Sequence, residues 1–123
     1  MEVNLDWRRQ ESAQWPEVGY EIRPLRVWAF QELLAFWEGP EGAPESPTLR
    51  NSPMRSFELL HVAKRIFPEH VRNLTGLTLL RDGETVPATP EALCEEAPLL
   101  PLAGEIISRL VAISEIGAAA EKN

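Results

Sequence analysis

The residues of this chain that could do chemistry are few, and their spacing favours structural roles. His61 and His70 stand nine positions apart, with Pro68 between them. A protein zinc site normally needs three or four converging ligands, so we interpret both histidines as solvated or core-edge residues. No P-loop, dinucleotide-binding glycine fingerprint, HExxH or GxSxG motif occurs. We therefore expect no catalytic residue, no bound metal and no cofactor.

A thiol and two adjacent carboxylates are the remaining candidates for chemistry. Cys94 is the only cysteine, which excludes an internal disulfide. A nucleophilic thiol needs a base beside it, and neither histidine is close to Cys94 in sequence. Glu95 and Glu96 are consecutive, and consecutive helical residues point to different sides. We interpret Cys94 as a structural thiol and do not expect the carboxylates to work as an acid–base pair.

Charge and composition narrow the class of partner. The chain has 123 residues and a net charge of -7, and its 12 Lys and Arg residues are scattered. Binding to nucleic acid or to anionic lipid depends on clustered cations, so we expect neither partner. The N-terminus lacks the pattern of a signal peptide, and no apolar run approaches the roughly 20 residues of a membrane span. The expectation is one soluble, cytoplasmic domain over residues 1–123, with an apolar content of 44% for its core.

The first quarter of the chain has the alternating pattern of two short strands. Val3, Leu5 and Trp7 alternate with polar residues, as in a half-buried strand. Residues 19–25 alternate as well, and Pro24 ends that pattern because it has no backbone N–H. The two segments are predicted to pair as a small ribbon.

Residues 26–38 have the spacing of an amphipathic helix. Gly39 follows at the position typical of a C-terminal cap. The face expected to meet the core carries Val27, Phe30, Leu34 and Trp37, widened by Trp28, Leu33 and Phe36. Residues 39–52 are rich in Pro, Gly and Ser and are predicted to form a long loop.

A second helix is predicted to begin at Ser52, the N-cap, with Pro53 at its first position. Its apolar face carries Leu59, Val62, Ala63, Ile66 and Phe67. Pro68 is expected to kink or stop it, and residues 69–71 to add one more turn. Residues 77–80 and 84–86 flank Asp82-Gly83, a dipeptide that favours a tight hairpin turn.

The C-terminal part is the most apolar. Thr89 and Pro90 are predicted to open a short helix, and a long helix follows from Pro98. One stripe of that long helix carries Leu102, Ile106, Leu110 and Ile113, flanked by Ala103, Ile107 and Val111, with Glu105, Ser108 and Arg109 as a polar strip. So wide an apolar arc is either the centre of a small core or a surface for another chain. The predicted class is mainly α, a small helical domain with a minor β-hairpin.

The order of these segments resembles a known family. An Ile-Arg-Pro-Leu opening at residues 22–25 leads into a helix rich in Trp and Phe, then a loop, a second helix and the Asp82-Gly83 hairpin. The pattern ends with residues 98–115, which include the long apolar helix. This resembles the small tail assembly chaperones of long-tailed bacteriophages and prophages, from residue 19 onward.

The resemblance implies a non-enzymatic, protein-binding helper of virion assembly in the cytoplasm of the bacterial host. Such proteins bind the tape measure protein and help recruit tail tube subunits around it. The residues that we expect to contact a partner are Ile106, Leu110 and Ile113, with Ile107 and Val111 as the alternative face. We also expect weak self-association through apolar helix surface. Two alternatives remain: all five residues lie in the protein's own core, or the chain is a small acidic cytoplasmic adaptor or regulatory domain that uses the same helix.

Overall fold

The computed structural model describes the backbone of residues 2–38 and 53–114, and the side chains of residues 2–35 and 58–114. The predicted loop at 39–52 and the N-cap at Ser52 lie outside these ranges. The elements in chain order are β1 (Arg8–Glu11), β2 (Gly19–Ile22), α1 (Val27–Glu38), α2 (Pro53–His70), β3 (Val71–Thr75), β4 (Thr78–Arg81), β5 (Glu84–Pro87), two 3-10 helices (Glu91–Cys94 and Ala97–Leu99) and α3 (Leu100–Ser114).

The expected mainly α class is wrong, because the described chain is an α+β fold with two small antiparallel sheets, one of three strands and one of two. The strands are four or five residues long. Strands so short carry too few alternating positions to stand out from loop sequence. Pairing between segments distant in the chain therefore decides the class.

The first sheet has the strand order β1-β2-β3. The predicted N-terminal ribbon is confirmed for its second strand, but its first strand is Arg8–Glu11 and not the segment of Val3, Leu5 and Trp7; Arg8 lies opposite Ile22 in an antiparallel register. Val3 and Leu5 are exposed residues before this strand. Alternation along β2 places Tyr20 and Ile22 on the buried side of the sheet.

The helical turn predicted after Pro68 is confirmed for Glu69 and His70 but is wrong for Val71, where β3 begins. Helix α2 continues through Pro68 to His70, and β3 begins at the next residue. Val71 is buried and pairs with Ile22, so a tertiary contact overrides the local helical preference. Gly76 ends the strand with φ of 77°. A Cβ there would lie 1.8 Å from the carbonyl oxygen of Glu17, so the close approach requires glycine.

The core lies between the inner side of the first sheet and the three helices. Helix α2 packs against α1, β3 and the first 3-10 helix, while α3 packs against both 3-10 helices. The fully buried large side chains are Tyr20, Ile22, Leu33, Ile66, Phe67, His70, Val71, Leu93, Leu102, Ile106, Ile107 and Leu110. Burying an aliphatic or aromatic side chain contributes about 1.5–3 kcal/mol, so this cluster is the main source of stability.

Helix α1 is confirmed, but of its predicted core face only Leu33 is fully buried among the described side chains. The side chains that α1 buries are Ala29 and Leu33, while Val27 is 73% exposed. Phe30 and Leu34 are half-buried, and the side chain of Trp37 lies outside the described residues. The side of α1 that meets the core therefore carries small Ala29 together with Leu33.

Two predicted turn features are confirmed in the second half of the chain. Strands β4 and β5 pair across a tight turn in which Asp82 and Gly83 both have positive φ, of 54° and 81°, the conformation of a type I′ hairpin. Further on, the Thr89 hydroxyl accepts a hydrogen bond from the Ala92 backbone N–H at 3.3 Å. The predicted cap is therefore present, although the helix that it opens is a 3-10 turn starting at Glu91.

Candidate functional site

The two histidines occupy unlike environments. His61 is exposed on α2, whereas His70 is completely buried at the end of the same helix. Among the side chains of residues 2–35 and 58–114, no group of three or more His, Cys, Asp or Glu could hold a metal ion. His61 is solvated as expected, whereas His70 lies inside the core and not at its edge.

His70 connects the end of α2 to the start of α1. Its Nδ1 lies 2.8 Å from the carbonyl oxygen of Ile66, and its Nε2 accepts the backbone N–H of Arg26 at 3.0 Å. Because Nε2 accepts a hydrogen bond, the proton of the neutral ring lies on Nδ1 and is donated to Ile66. Burial lowers the pKa of His70. The ring also contacts Trp28, with 6.0 Å between the two centroids.

Cys94 and the neighbouring carboxylates are engaged in structural contacts. Burial raises the pKa of the Cys94 thiol to about 12, so the thiol stays protonated and is a poor nucleophile near neutral pH. Glu95 forms an ion pair with Lys64 at 2.6 Å, while Glu96 bonds Arg81 at 2.6 Å. The two carboxylates thus point to different cations, as their adjacency in sequence predicted.

A polar cluster around Glu105 connects α3 to the β1–β2 hairpin. The Tyr20 hydroxyl donates to Glu105 Oε2 at 2.6 Å, and the Ser12 hydroxyl donates to Oε1 at 3.0 Å. The backbone N–H of Ala13 adds a bond to Oε1 at 3.1 Å. Arg109 lies one turn along α3 and donates both to the Tyr20 hydroxyl and to the carbonyl oxygen of Glu11, each at 2.8 Å.

The electrostatics of this cluster favour an ionised Glu105, whose side chain is 8% exposed. Burial alone would raise the pKa of Glu105, but hydrogen bonds from Tyr20 and Ser12 and the charge of Arg109 outweigh it and lower the pKa. Burial and the bond to Glu105 in turn raise the pKa of Tyr20. A carboxylate whose oxygens are saturated by the protein's own donors is suited to holding elements together. The sequence showed Glu105 and Arg109 as one strip but did not reveal their distant partners.

The residues predicted to contact a partner divide into two groups. Ile106, Ile107 and Leu110 are buried, and Val111 and Ile113 are half-buried and pack against the core. The structure therefore places the first three where the chain itself covers them. A contact of Val111 or Ile113 with another protein stays a prediction.

Helix α3 together with the 3-10 turn before it has the length and composition of a membrane span. Residues 97–114 form an 18-residue window with a mean hydropathy of 1.4. A core helix passes the same test, and here Leu102, Ile106 and Leu110 are fully buried in the protein. The window is weak support for a membrane location.

Exposed large apolar side chains lie before β1 (Val3, Leu5), at the start of α1 (Val27, Trp28) and on the β4–β5 hairpin (Leu80, Val86). Val27 is 73% exposed, and Phe30 and Leu34 follow at spacings of three and four on the same side of the helix. We call these three residues the α1 stripe. Trp28, 38% exposed, lies on another side of α1, next to His70. The helical spacing of these three residues is visible in the sequence, but the prediction that they face the core is wrong.

A second exposed apolar residue stands apart from the α1 stripe. Leu80 on β4 is 78% exposed and lies opposite Thr85 in the hairpin. Its neighbours along β4 are half-buried Leu79 and charged Arg81, and a single exposed apolar side chain of this kind is ordinary on a protein surface. The α1 stripe, with three apolar side chains in a row, is the better candidate for an interaction site.

Comparison of the chain with protein family models, with curated proteins and with solved structures found no match.

Proposed function

We propose that this protein is a non-enzymatic tail assembly chaperone of a long-tailed phage or prophage, acting in the host cytoplasm. In this proposal it binds an amphipathic helical segment of the tape measure protein and helps recruit tail tube subunits. The order of segments from residue 19 to residue 115 supports the proposal. The observation that carries it is the partly exposed α1 stripe, in which Val27 is 73% exposed and Phe30 and Leu34 are half-buried.

The stripe has dimensions that suit a helix as its partner. Residues 27 to 34 are all helical, and at about 1.5 Å per residue they cover roughly 10 Å, close to two turns of a partner helix. Recognition of an amphipathic helix by an apolar surface uses anchors at spacings of three and four, the spacing of the stripe itself. A long client with unpaired apolar faces would aggregate, and such a contact would cover them.

The size of the stripe favours reversible binding. Three partly exposed side chains bury little area, and each contributes at most about 1.5–3 kcal/mol on burial, part of which offsets the cost of association. A chaperone that leaves the finished particle needs this kind of release. The net charge of -7 helps to keep a complex with an apolar client soluble.

The residues first expected to bind the client have a narrower role in this proposal. Val111 and Ile113 are half-buried on α3 and can add to the contact, whereas Ile106, Ile107 and Leu110 can do so only if the core opens. Weak self-association through the α1 stripe is part of the proposal. Analytical ultracentrifugation at high protein concentration tests it, and a strictly monomeric protein would remove that part.

Co-expression with the tape measure protein of the same gene cluster tests the function. The wild-type chain should co-purify with the client and raise its soluble fraction. Val27→Asp should reduce both, because a charge in the stripe must be desolvated on binding. Leu80→Asp is the matched control, since Leu80 is 78% exposed on a different element, and it should behave as wild type.

Three results would count against the proposal. Failure of the wild-type chain to bind or solubilise the tape measure protein would reject the function. Equal loss in both variants would reject the α1 stripe as the site. A different cytoplasmic protein captured through Val27, with no tail genes beside this one, would instead indicate a small acidic adaptor.

A further inference from the structure

The outer side of the β1-β2-β3 sheet carries an arrangement of charges that the core does not require. Opposite pairing places Arg9, Glu21 and Arg72 in one row across the three strands. Trp7 and Arg23 lie just outside the paired strands, directly before Arg8 and directly after Ile22. Because side chains alternate along a strand, the row of Arg9, Glu21 and Arg72 points away from the core, which Tyr20 and Ile22 face.

The guanidinium groups of Arg23 and Arg72 both lie over the indole ring of Trp7. The Arg23 Cζ is 4.6 Å from the centroid of Trp7, and the Arg72 Cζ is 4.2 Å from it. Stacking of a guanidinium on an aromatic ring restricts the orientation of the side chain. The ring therefore holds two cations at a common place on the sheet, although like charges repel.

Each of the two arginines retains donors that can serve a ligand. Arg72 Nε donates to Glu21 Oε1 at 2.8 Å, and Arg23 Nε donates to the carbonyl oxygen of Glu69 at 2.8 Å. A guanidinium has five N–H groups, and in the described part of the chain no bond uses the terminal nitrogens of either arginine. Among the described residues, Arg72 forms an ion pair with Glu21, and no ion pair includes Arg23. Within this part of the chain, Glu21 is therefore the one carboxylate paired with either of the two arginines.

The charge of this region differs from that of the whole protein. Residues 2–26 and 71–76 contain five arginines and five carboxylates, while the chain has a net charge of -7. The acidic surplus thus lies on other parts of the sequence. Glu21 is already engaged, because Arg72 and Asn73 both donate to its Oε1, and these bonds lower its pKa.

We propose that Arg23, Trp7 and Arg72 form a binding site for the carboxylates of an acidic segment of a protein partner. A guanidinium held in place can donate two parallel N–H bonds to a carboxylate. The acidic side chain would take the place of the missing counter-charge of Arg23 and bridge to Arg72. The site does not include the α1 stripe, and the proposal does not depend on the tail assembly function.

Titration of the full chain with a hexaglutamate peptide, followed by ¹H–¹⁵N NMR, tests the site. The Trp7 indole Nε1–H signal is identified by its loss in Trp7→Phe. At about 20 mM salt we expect a saturable shift of this signal, and at about 300 mM salt a much smaller one, because screening weakens exposed charge contacts.

Arginine variants provide the matched comparison. The side chains of Arg72 and Arg65 are 50% and 57% exposed, and each arginine has a glutamate partner, Glu21 and Glu32 respectively. Arg72→Gln should weaken peptide binding about fivefold to tenfold, and Arg65→Gln should leave it unchanged. Arg23→Gln, which removes the cation without a carboxylate partner, should have at least the effect of Arg72→Gln, and its thermal unfolding checks that the fold persists.

Each other outcome overturns the proposal. Absence of a saturable Trp7 shift with the wild-type chain would show that acidic side chains do not bind there. Equal weakening in Arg65→Gln would show attraction by general charge without a specific site. Inorganic phosphate that shifts Trp7 at the same concentration as the peptide would assign the site to a phosphate ligand instead.

Discussion

Helices α1 and α3 present similar apolar stripes in the sequence, yet they have opposite positions in the structure. On α3 the stripe lies in the core, with Ile106 and Leu110 fully buried. On α1 the equivalent stripe starts with Val27 at 73% exposure. Periodicity therefore locates an apolar stripe on a helix but does not state whether the chain's own core or another protein will cover it.

The difference follows from the polar contacts that orient each helix. Glu105 turns α3 toward the β1–β2 hairpin, because Tyr20 and Ser12 donate to its two oxygens. At the start of α1 the orientation depends on backbone groups: the Arg26 N–H donates to His70, and the Leu25 N–H donates to the Ser114 hydroxyl at 2.8 Å. Once these bonds are made, small Ala29 faces the core and the α1 stripe does not.

The test with the largest expected effect on stability removes one apolar side chain from each helix. Leu110→Ala should lower the free energy of unfolding by about 2–5 kcal/mol, because it leaves a cavity in a packed core. Val27→Ala should change it by less than about 0.5 kcal/mol, since the side chain is exposed. Urea denaturation followed by circular dichroism measures both values, and similar losses in the two variants would contradict the assigned positions of the helices.

A second test concerns the carboxylate that orients α3. Glu105→Gln should lower the free energy of unfolding by about 1–3 kcal/mol, because it removes the charge that several donors satisfy and leaves at least one donor unpaired. Glu95→Gln is the control: Glu95 pairs with Lys64 through side chains that are both nearly half exposed, so its loss should cost less than about 1 kcal/mol. If Glu105→Gln were as mild as its control, the cluster would not hold α3.

The third test, with the smallest expected effect on stability, uses pH to examine the hydrogen bond from the Arg26 N–H to His70 at the start of α1. The folded protein lowers the pKa of His70 below the ordinary value of 6.5, so the unfolded chain takes up a proton first as the pH falls. The stability contributed by neutral His70 is complete above that value and is lost on acidification below it. Glu105, whose pKa is lowered from 4.5, adds a loss that begins near that lower pH.

Urea denaturation at a series of pH values separates the two residues. The wild-type chain should lose stability between pH 6.5 and 4.5, the ordinary values of the two groups. His70→Asn should flatten this first part of the profile, whereas His61→Asn, which replaces the exposed histidine on the same helix, should preserve it. An unchanged profile in His70→Asn would show that His70 does not couple protonation to folding.

Local features of the sequence predicted several elements well. The helical spacing in residues 26–38 and the Asp82-Gly83 turn each depend on neighbouring residues, and both appear where they were expected. Strand β3 was missed because its pairing partner lies about 50 positions away, in β2. The class of the fold was therefore mistaken although most helices were located correctly.

The candidate sites show the same division. The sequence revealed that Val27, Phe30 and Leu34 share a face of one helix, and α1 contains all three. It did not show that the Trp7 ring would contact Arg23, which directly follows β2, and Arg72, which lies on β3. A contact between side chains on different elements has no periodic trace along the chain.

By itself, the sequence determined which segments become helix or tight turn and which residues are apolar, because backbone preference and side-chain spacing act over a few neighbouring positions. Only the tertiary structure decided which apolar stripe is buried, what surrounds Glu105 and His70, and where the third strand joins. Those outcomes depend on packing and hydrogen bonds between groups far apart in the chain, such as Tyr20 and Glu105.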